Sequence, residues 1–433
     1  MQTQETIFFA KSQTYGKRVG VHKSDRRYHM YAIGRTGVGK STLFLNMMVQ
    51  DLAYGNNFAI IDPHGDLAEG VLAHVPRNRI NDVVYINPAD TEFPIGMNMF
   101  GFVDEKKRHL VAANIISIFR KSWADSWGPR MGYLLHNAVL ALLEIPNSTL
   151  LSLLQLLTNE KYRNSIVRRV KDPIVRHYWE AQFSQFPERQ LGEITSPVLN
   201  KIGAYATNIY LRNMFGQAKT TVDFDKIING KGVLVVNLSK GKIGEDAANL
   251  LGSFIVANLQ MAAMRRASIP EDERKDFYLY VDEFQNFTTE SFVNILAEAR
   301  KYRLNLILAH QYLGQLDTVV RDAVLANVGT TIMFRMGPDD AEVFRKEFSE
   351  EWPPSNLVGL NPHEIYYKLM RDSSVEQPKS GVTTAPLSTQ FNVKEHIQII
   401  IKQSRKKYSW SRKRVDAKIK KELEHKIIKH TRS

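Results

Sequence analysis

Residues Gly34–Thr42 read GRTGVGKST and match the phosphate-loop pattern GxxxxGK[ST] at all of its fixed positions, Gly34, Gly39, Lys40 and Ser41. No other stretch limits the chain as tightly, because the pattern has meaning only with a strand before it and a helix after it. Both flanks comply. Arg27–Ile33 (RYHMYAI) is rich in β-formers, and Ser41–Tyr54 spaces Leu43, Leu45, Met47, Met48, Leu52 and Ala53 so that one helical face can be apolar. The glycines let the backbone turn its N–H groups towards phosphate oxygens, and the helix start adds a positive dipole end. The expected cradle is Gly34, Thr36, Gly37, Val38, Gly39, Lys40, Ser41 and Thr42. Lys40 then reaches the β- and γ-phosphates, and the Ser41 hydroxyl sits on Mg²⁺.

Further along, hydrophobic runs end repeatedly in polar residues. Asn57–Asp62 (NFAIID) closes in D-P-H-G-D, where Asp62, His64 and Asp66 can contact the site or simply stabilise a turn. Asp82–Ile86 is a further strand candidate. Gly232–Leu238 (GVLVVNL) is almost uninterrupted, as suits a parallel strand covered on both faces. Asp276–Asp282 (DFYLYVD) ends in D-E-F-Q-N. An acidic pair at a strand end is the second half of a P-loop ATPase. Asp282 holds Mg²⁺ through water, and Glu283 positions and polarises the attacking water. The expected ligands are therefore ATP and Mg²⁺. Asn305–Ala309 is the next strand, followed by His310 and Gln311, and Gln311 is placed to touch the γ-phosphate or its water. Thr330–Met336, with Arg335, and Glu364–Leu369 are later strands, and Ser373–Pro386 reads as an extended surface segment.

Between these strands the texture changes. From Glu105 to Gln217 the periodicity is helical throughout, with few strand signals. The fold class is thus α/β, a RecA-like parallel-sheet P-loop domain with an all-α insertion and a basic helical tail. The boundaries read as 1–103 for the lead-in and first part of the ATPase domain, 104–217 for the insertion, 218–392 for its second part, and 393–433 for the extension. Trp123, Trp127, Arg120, Lys121 and Arg130 cluster early in the insertion, either as core or as a stacking and charge grip on nucleic acid.

Charge adds a partner class. The net charge is +13, yet residues 394–433 hold 14 Lys/Arg against 4 Asp/Glu, leaving about +3 for all the rest. Such a tail meets polyanions, DNA or an anionic membrane surface, or serves solubility. The chain has no cysteine, which excludes disulfides and thiol catalysis. The longest apolar run, Leu250–Met264, is interrupted by Ser253, Asn258 and Gln260 and is short for a membrane span. The expected location is cytoplasmic, peripheral to the inner face of a membrane if the tail binds lipid.

Taken together, GRTGVGKST, IIDPHGD, the helical insertion, LYVDEFQNF and EARKYRLNLILAHQY resemble type IV secretion coupling proteins. These are conjugative DNA-transfer ATPases of the FtsK/HerA branch of P-loop proteins, and the resemblance covers roughly residues 15–390. It implies a ring, usually a hexamer, with ATP at subunit boundaries and DNA in the central channel. It also implies that Gln311 is the polar sensor. Arg300, eleven residues earlier, becomes the arginine offered to a neighbour's nucleotide, where a guanidinium stabilises developing charge. The plain alternative for Arg300 is a cation at a helix C-terminus, and Arg335 is a second candidate for the arginine. Only about 33 residues precede the loop, so the chain resembles a member without its own membrane helices, or one whose anchor lies on a secretion or relaxase partner. The motifs alone do not separate DNA from protein as the cargo, nor exclude a nucleotide-dependent binding module with little hydrolysis.

Overall fold

The computed structural model describes residues 5–101, 103–348, 355–372, 374–389 and 392–428. The strands are β1 (Thr6–Ser12), β2 (Arg18–His22), β3 (Met30–Ile33), β4 (Asn57–Asp62), β5 (Val83–Ile86), β6 (Val233–Asn237), β7 (Phe277–Val281), β8 (Leu304–His310), β9 (Thr330–Met333), β10 (Glu364–Lys368), β11 (Met370–Arg371), β12 (Ser374–Val375) and β13 (Lys379–Thr383). β11 and β12 form a separate small hairpin; the other strands make one sheet in the order β2-β1-β13-β10-β9-β3-β8-β7-β4-β6-β5.

From β9 to β5 neighbouring strands are parallel, and from β10 to β2 they are antiparallel. The parallel strands are almost wholly buried, as the apolar runs of β4, β6, β7 and β8 require. β3, which feeds the phosphate loop, lies between β8 and β9, and β7 lies beside β8. The carboxyl ends of β3, β7 and β8 therefore meet at one rim, where ligands bind in open parallel sheets.

The chain clusters into two compact units. One consists of Met1–Ile86, Phe224–Ser239 and Ile255–Ser404 and holds the sheet; the other consists of Asn87–Asp223, Lys240–Phe254 and Arg405–Ser433 and is helical. The helical unit is thus wider than residues 104–217, and it draws on the C-terminal end of the chain. In it Trp123 is buried, stacks on Phe119 at 4.6 Å and donates from Nε1 to the Tyr205 hydroxyl at 2.9 Å. That places Trp123 in the core rather than in a nucleic-acid grip. Trp127 stays partly exposed beneath Arg120.

Local readings shift in three places. Arg27–Tyr28 belong to a 3₁₀ turn, Asp25–Tyr28, not to a strand, because His29 turns the backbone at φ 65° and β3 starts only at Met30. Part of Ser373–Pro386 is β13, threaded between β1 and β10 instead of lying over the surface; Ser373 itself is outside the described residues. The basic extension forms helices Val393–Tyr408 and Arg412–Ile428, residues 429–433 lying outside the described residues. Ile400 is buried with the sheet core, and Val415 and Ile419 are buried with Leu151 and Ala206.

Among the described residues, one helical stretch, Glu245–Ser268, is long and apolar enough to cross a membrane, and 78% of its apolar window is buried inside the protein. The run that the sequence breaks at Ser253, Asn258 and Gln260 is therefore longer as a helix than as an apolar string.

Candidate functional site

The phosphate loop passes from β3 into helix Lys40–Tyr54. Two of its glycines are required by space and backbone. A Cβ on Gly34 would lie 2.5 Å from the Phe334 Cβ, and Gly39 takes φ 115° beside the His363 imidazole. His363 also donates its backbone N–H to the Val38 carbonyl at 2.9 Å, so the loop is braced from a point far along the chain. No pattern near residue 363 announced this, and a contact of such separation has no local signal.

Lys40 is buried, and its ammonium donates to the carbonyls of Gly34 and Arg35. Burial lowers its pKa, opposed by the nearby carboxylates of Glu283 and Asp282. The loop lysine and the acidic pair therefore sense one another electrostatically although 242 positions separate Lys40 from Asp282. Ser41 is exposed at the helix start.

Asp282 and Glu283 follow β7 and are both buried. The Asp282 carboxyl is pushed up to about 7, first by burial, then by the negative charges of Glu283 and Asp62, with Lys40 and His64 pulling the other way. Glu283 takes φ 47°, a left-handed conformation that costs a residue with a side chain. Its carboxylate is held from both sides: Gln311 Nε2 donates to Oε1 at 3.1 Å, and Gln285 Nε2 donates to Oε2 at 2.7 Å. The Thr36 hydroxyl donates to Gln311 Oε1 at 3.0 Å. A continuous path thus runs from the phosphate loop through Gln311 to Glu283.

Gln311 is itself anchored, donating its backbone N–H to Gln315 Oε1 at 3.1 Å. Nothing in the sequence pattern singles out Gln285 or Gln315. Gln285 lies inside D-E-F-Q-N, two residues after Glu283, and is the more findable of the two. His310, one residue before Gln311, is buried against Tyr31 at 5.4 Å and Phe284 at 5.1 Å, and burial holds it down at about 3. An open cleft of about 520 Å³ adjoins the path, lined by Arg35, Thr36, Gln311, Tyr312, Gly337, Asp339 and Asp340.

Other expected residues lie elsewhere or act structurally. Asp62 accepts from the backbone N–H groups of His64 and Ala68, both at 2.8 Å, so it stabilises the turn and the following helix start. Arg335 is beside the loop, its carbonyl accepting from Arg35 N at 2.9 Å. Arg300 is not in this site. It is exposed at the amino end of β8, whereas Gln311 follows the carboxyl end, a seven-residue strand away, about 20 Å. There its guanidinium lies 3.7 Å over the Tyr28 ring and donates to the Tyr28 hydroxyl at 2.7 Å.

Residues 16–350 match the type IV secretion-system coupling protein DNA-binding domain. The chain belongs to that family. The fold is shared with distant solved structures. The unbound bacterial conjugative coupling protein TrwBdeltaN70 superposes with TM-score 0.63 at 14% identity, covering 87% of this chain and 89% of that chain. TrwB in complex with ADP and Mg²⁺ gives TM-score 0.62 at 16% identity over 86% and 88%. VirB4 of Thermoanaerobacter pseudethanolicus gives 0.60 at 16% identity over 88% and 96%. No curated protein matches the chain.

Proposed function

We propose that this coupling-protein chain hydrolyses ATP to move DNA, working as a ring, usually of six, in which a neighbour completes each site. The observation that carries the reading is the hydrogen-bonded path Thr36–Gln311–Glu283, with Lys40 and Asp282 beside it, in a family defined by a DNA-binding domain.

The residues fit the ligands. Gly37 takes φ 79° with open space where a side chain would stand, and Gly39 turns the loop, which leaves the cradle N–H groups clear. The Ser41 hydroxyl and Asp282 carboxylate are hard oxygen donors of the kind Mg²⁺ takes together with substrate phosphates. A carboxyl raised first by burial and then by two neighbouring negative charges is one that a divalent cation relieves. Bound Mg²⁺ supplies charge neutralisation at the phosphates.

Glu283 orients the attacking water and accepts its proton as the water oxygen bonds to the γ-phosphorus. The bond to the ADP oxygen breaks, and ADP leaves with the electron pair. Gln311 and Gln285 fix the Glu283 carboxylate, and Thr36 reports to Gln311 what the loop holds. Lys40 stabilises charge on the transferred phosphoryl. Arg300, distant from its own chain's site and exposed, is proposed to serve the neighbouring copy. A membrane-anchored secretion or relaxase partner, and a location at the inner face of the membrane, belong to the same reading.

DNA should stimulate ATP turnover, and Lys40→Ala or Glu283→Gln should lower it by at least about a hundredfold, the scale of one catalytic group. Glu283→Gln should still bind nucleotide. Turnover indifferent to DNA would redirect the reading to a motor acting on protein, and negligible turnover even with DNA would leave a binding module.

A further inference from the structure

Helix Arg412–Ile428 is fastened to the helical unit by one face. Val415 and Ile419 are buried against Leu151 and Ala206. The Glu422 carboxylate accepts from the hydroxyls of Thr149 and Ser152, both at 3.1 Å. Thr149 caps helix Leu150–Thr158, so this carboxylate sits at that helix's positive end. The other two carboxylates of the helix have cationic partners, Asp416 with Arg412 at 3.5 Å and Glu424 with Lys420 at 3.7 Å.

That pairing leaves a row of charge. Arg414, Lys418 and Lys421 recur at i, i+4 and i+7, on one stripe beside the buried face, and all three are exposed. Among the described residues none of the three has a carboxylate partner within ion-pair distance. Exposed Lys413 adds a fourth cation next to the stripe. The row is also held in place. The Trp410 ring carries the Arg414 guanidinium at 3.2 Å from its centroid and the Lys418 ammonium at 4.9 Å. Trp410 is in turn tied by its backbone N–H to the Pro94 carbonyl at 3.3 Å.

We infer that the Arg414–Lys418–Lys421 ridge binds the phosphate backbone of duplex DNA. The inference rests on the reading that the chain acts on DNA, and it names a surface for it outside the nucleotide site. The ridge spans about 10 Å of helix. Duplex DNA presents one charge per strand about every 3.4 Å of axis, so a rigid row of that length faces several phosphates. Each cation neutralised by phosphate releases counterions, which suits side chains with no carboxylate partner among the described residues. The Trp410 face is covered by cations and offers no platform for a base, so binding there is independent of sequence. A membrane-surface helix needs an apolar face for the lipid boundary. Here Val415 and Ile419 are already buried in protein.

The test is binding of a short labelled duplex DNA across a salt series, with wild-type chain and the Arg414→Gln/Lys418→Gln/Lys421→Gln variant. The variant should bind at least about tenfold more weakly, and its plot of log affinity against log salt should be shallower by about 0.9 for each phosphate that the ridge no longer neutralises. Its basal ATP turnover should be unchanged. Lys418→Glu alone should move affinity in the same direction and serves if the triple variant fails to fold. Trp410→Leu keeps the charges, so it should weaken binding with the slope retained. A variant slope equal to wild type overturns the ridge while leaving DNA as the substrate. Wild-type chain that binds no duplex at any salt overturns the underlying reading instead. Loss of flotation with phosphatidylserine vesicles, without any change in the DNA slope, assigns the ridge to an anionic lipid surface and overturns the inference.

Discussion

Glu283 combines three liabilities at one residue: burial, an adjacent carboxylate and a left-handed backbone. Proteins concentrate such strain where a group must be held ready, and each strained residue costs of order 1–3 kcal/mol. Glu283→Gly should therefore stabilise the fold by about 1 kcal/mol in urea unfolding, while removing turnover. An unchanged or lower unfolding midpoint would show that the Gln311 and Gln285 bonds already offset the strain. His310 gives a pH signature. Burial, then the Lys40 charge, holds it down at about 3, and His29, buried beside Arg300, is held at about 4, both against an ordinary 6.5. The unfolded chain takes a proton on each histidine near pH 6.5 and the folded chain does not. Each therefore subtracts about 1.4 kcal/mol per pH unit as pH falls from 6.5 towards the folded value. His310→Phe keeps the ring against Tyr31 and removes the titration. The stability of wild type relative to that variant should fall on acidification below pH 6.5 and stay level above it, as measured by urea unfolding at matched pH values.

Four successive side chains of one turn tie the elements around the site together. The Arg26 guanidinium, 1% exposed, forms a paired bond with Asp51 of the loop helix at 2.7 and 2.8 Å and donates to the Tyr280 hydroxyl of β7 at 2.8 Å. Arg27 pairs with Asp276 just ahead of β7, Tyr28 carries Arg300, and His29 accepts from Leu306 N on β8. The strand that leads to Asp282–Glu283 is thus held at Asp276, just before its start, and again at Tyr280, and the helix that begins at Lys40 is held near its far end at Asp51. Arg26→Met leaves Asp51 buried without a counter-charge and should cost about 3–5 kcal/mol. Adding Asp51→Leu should restore much of that loss in a double-mutant cycle, because an apolar pair of similar volume replaces a buried ion pair. A second clamp lies on the loop helix itself. The Asn46 amide donates to the carbonyls of Thr384 and Ala385 at 3.0 and 2.9 Å, and its Oδ1 accepts from Leu387 N at 3.1 Å. The Ser-, Thr- and Pro-rich segment is therefore a strap on the helix that follows the loop. Its composition announced an extended chain but not what that chain would hold.

For the whole molecule, the separation of Arg300 from Gln311 along β8 makes the oligomer a direct question. If Arg300 acts on a neighbour, Lys40→Ala and Arg300→Ala chains should each be inactive alone and should regain part of the turnover when mixed. ATP should also raise the sedimentation coefficient of the wild-type chain. Mixtures no more active than their components would leave Arg300 as the partner of Tyr28 and nothing more. The sheet was legible strand by strand because buried parallel strands read as short apolar runs with polar ends. Its order was not. β3 pairs with β8 and β9, and β1 with β13, across hundreds of residues, and nothing in either partner's pattern names the other.

By itself the sequence determined the phosphate loop, the strand-end pair Asp282–Glu283, the α/β class with its helical stretch, and the basic excess near the C-terminus. Each is written in local spacing or composition, where periodicity and turn chemistry act. Tertiary structure alone decided which polar groups meet. It joined Thr36, Gln311, Glu283 and Gln285, braced the loop with His363, and kept Arg300 at the opposite end of its strand. It also turned the basic excess from a tail into a fixed row, by burying Val415 and Ile419 and stacking Arg414 and Lys418 on Trp410. Those outcomes follow from burial and long-range pairing, which depend on the whole chain having folded and not on any one stretch of it.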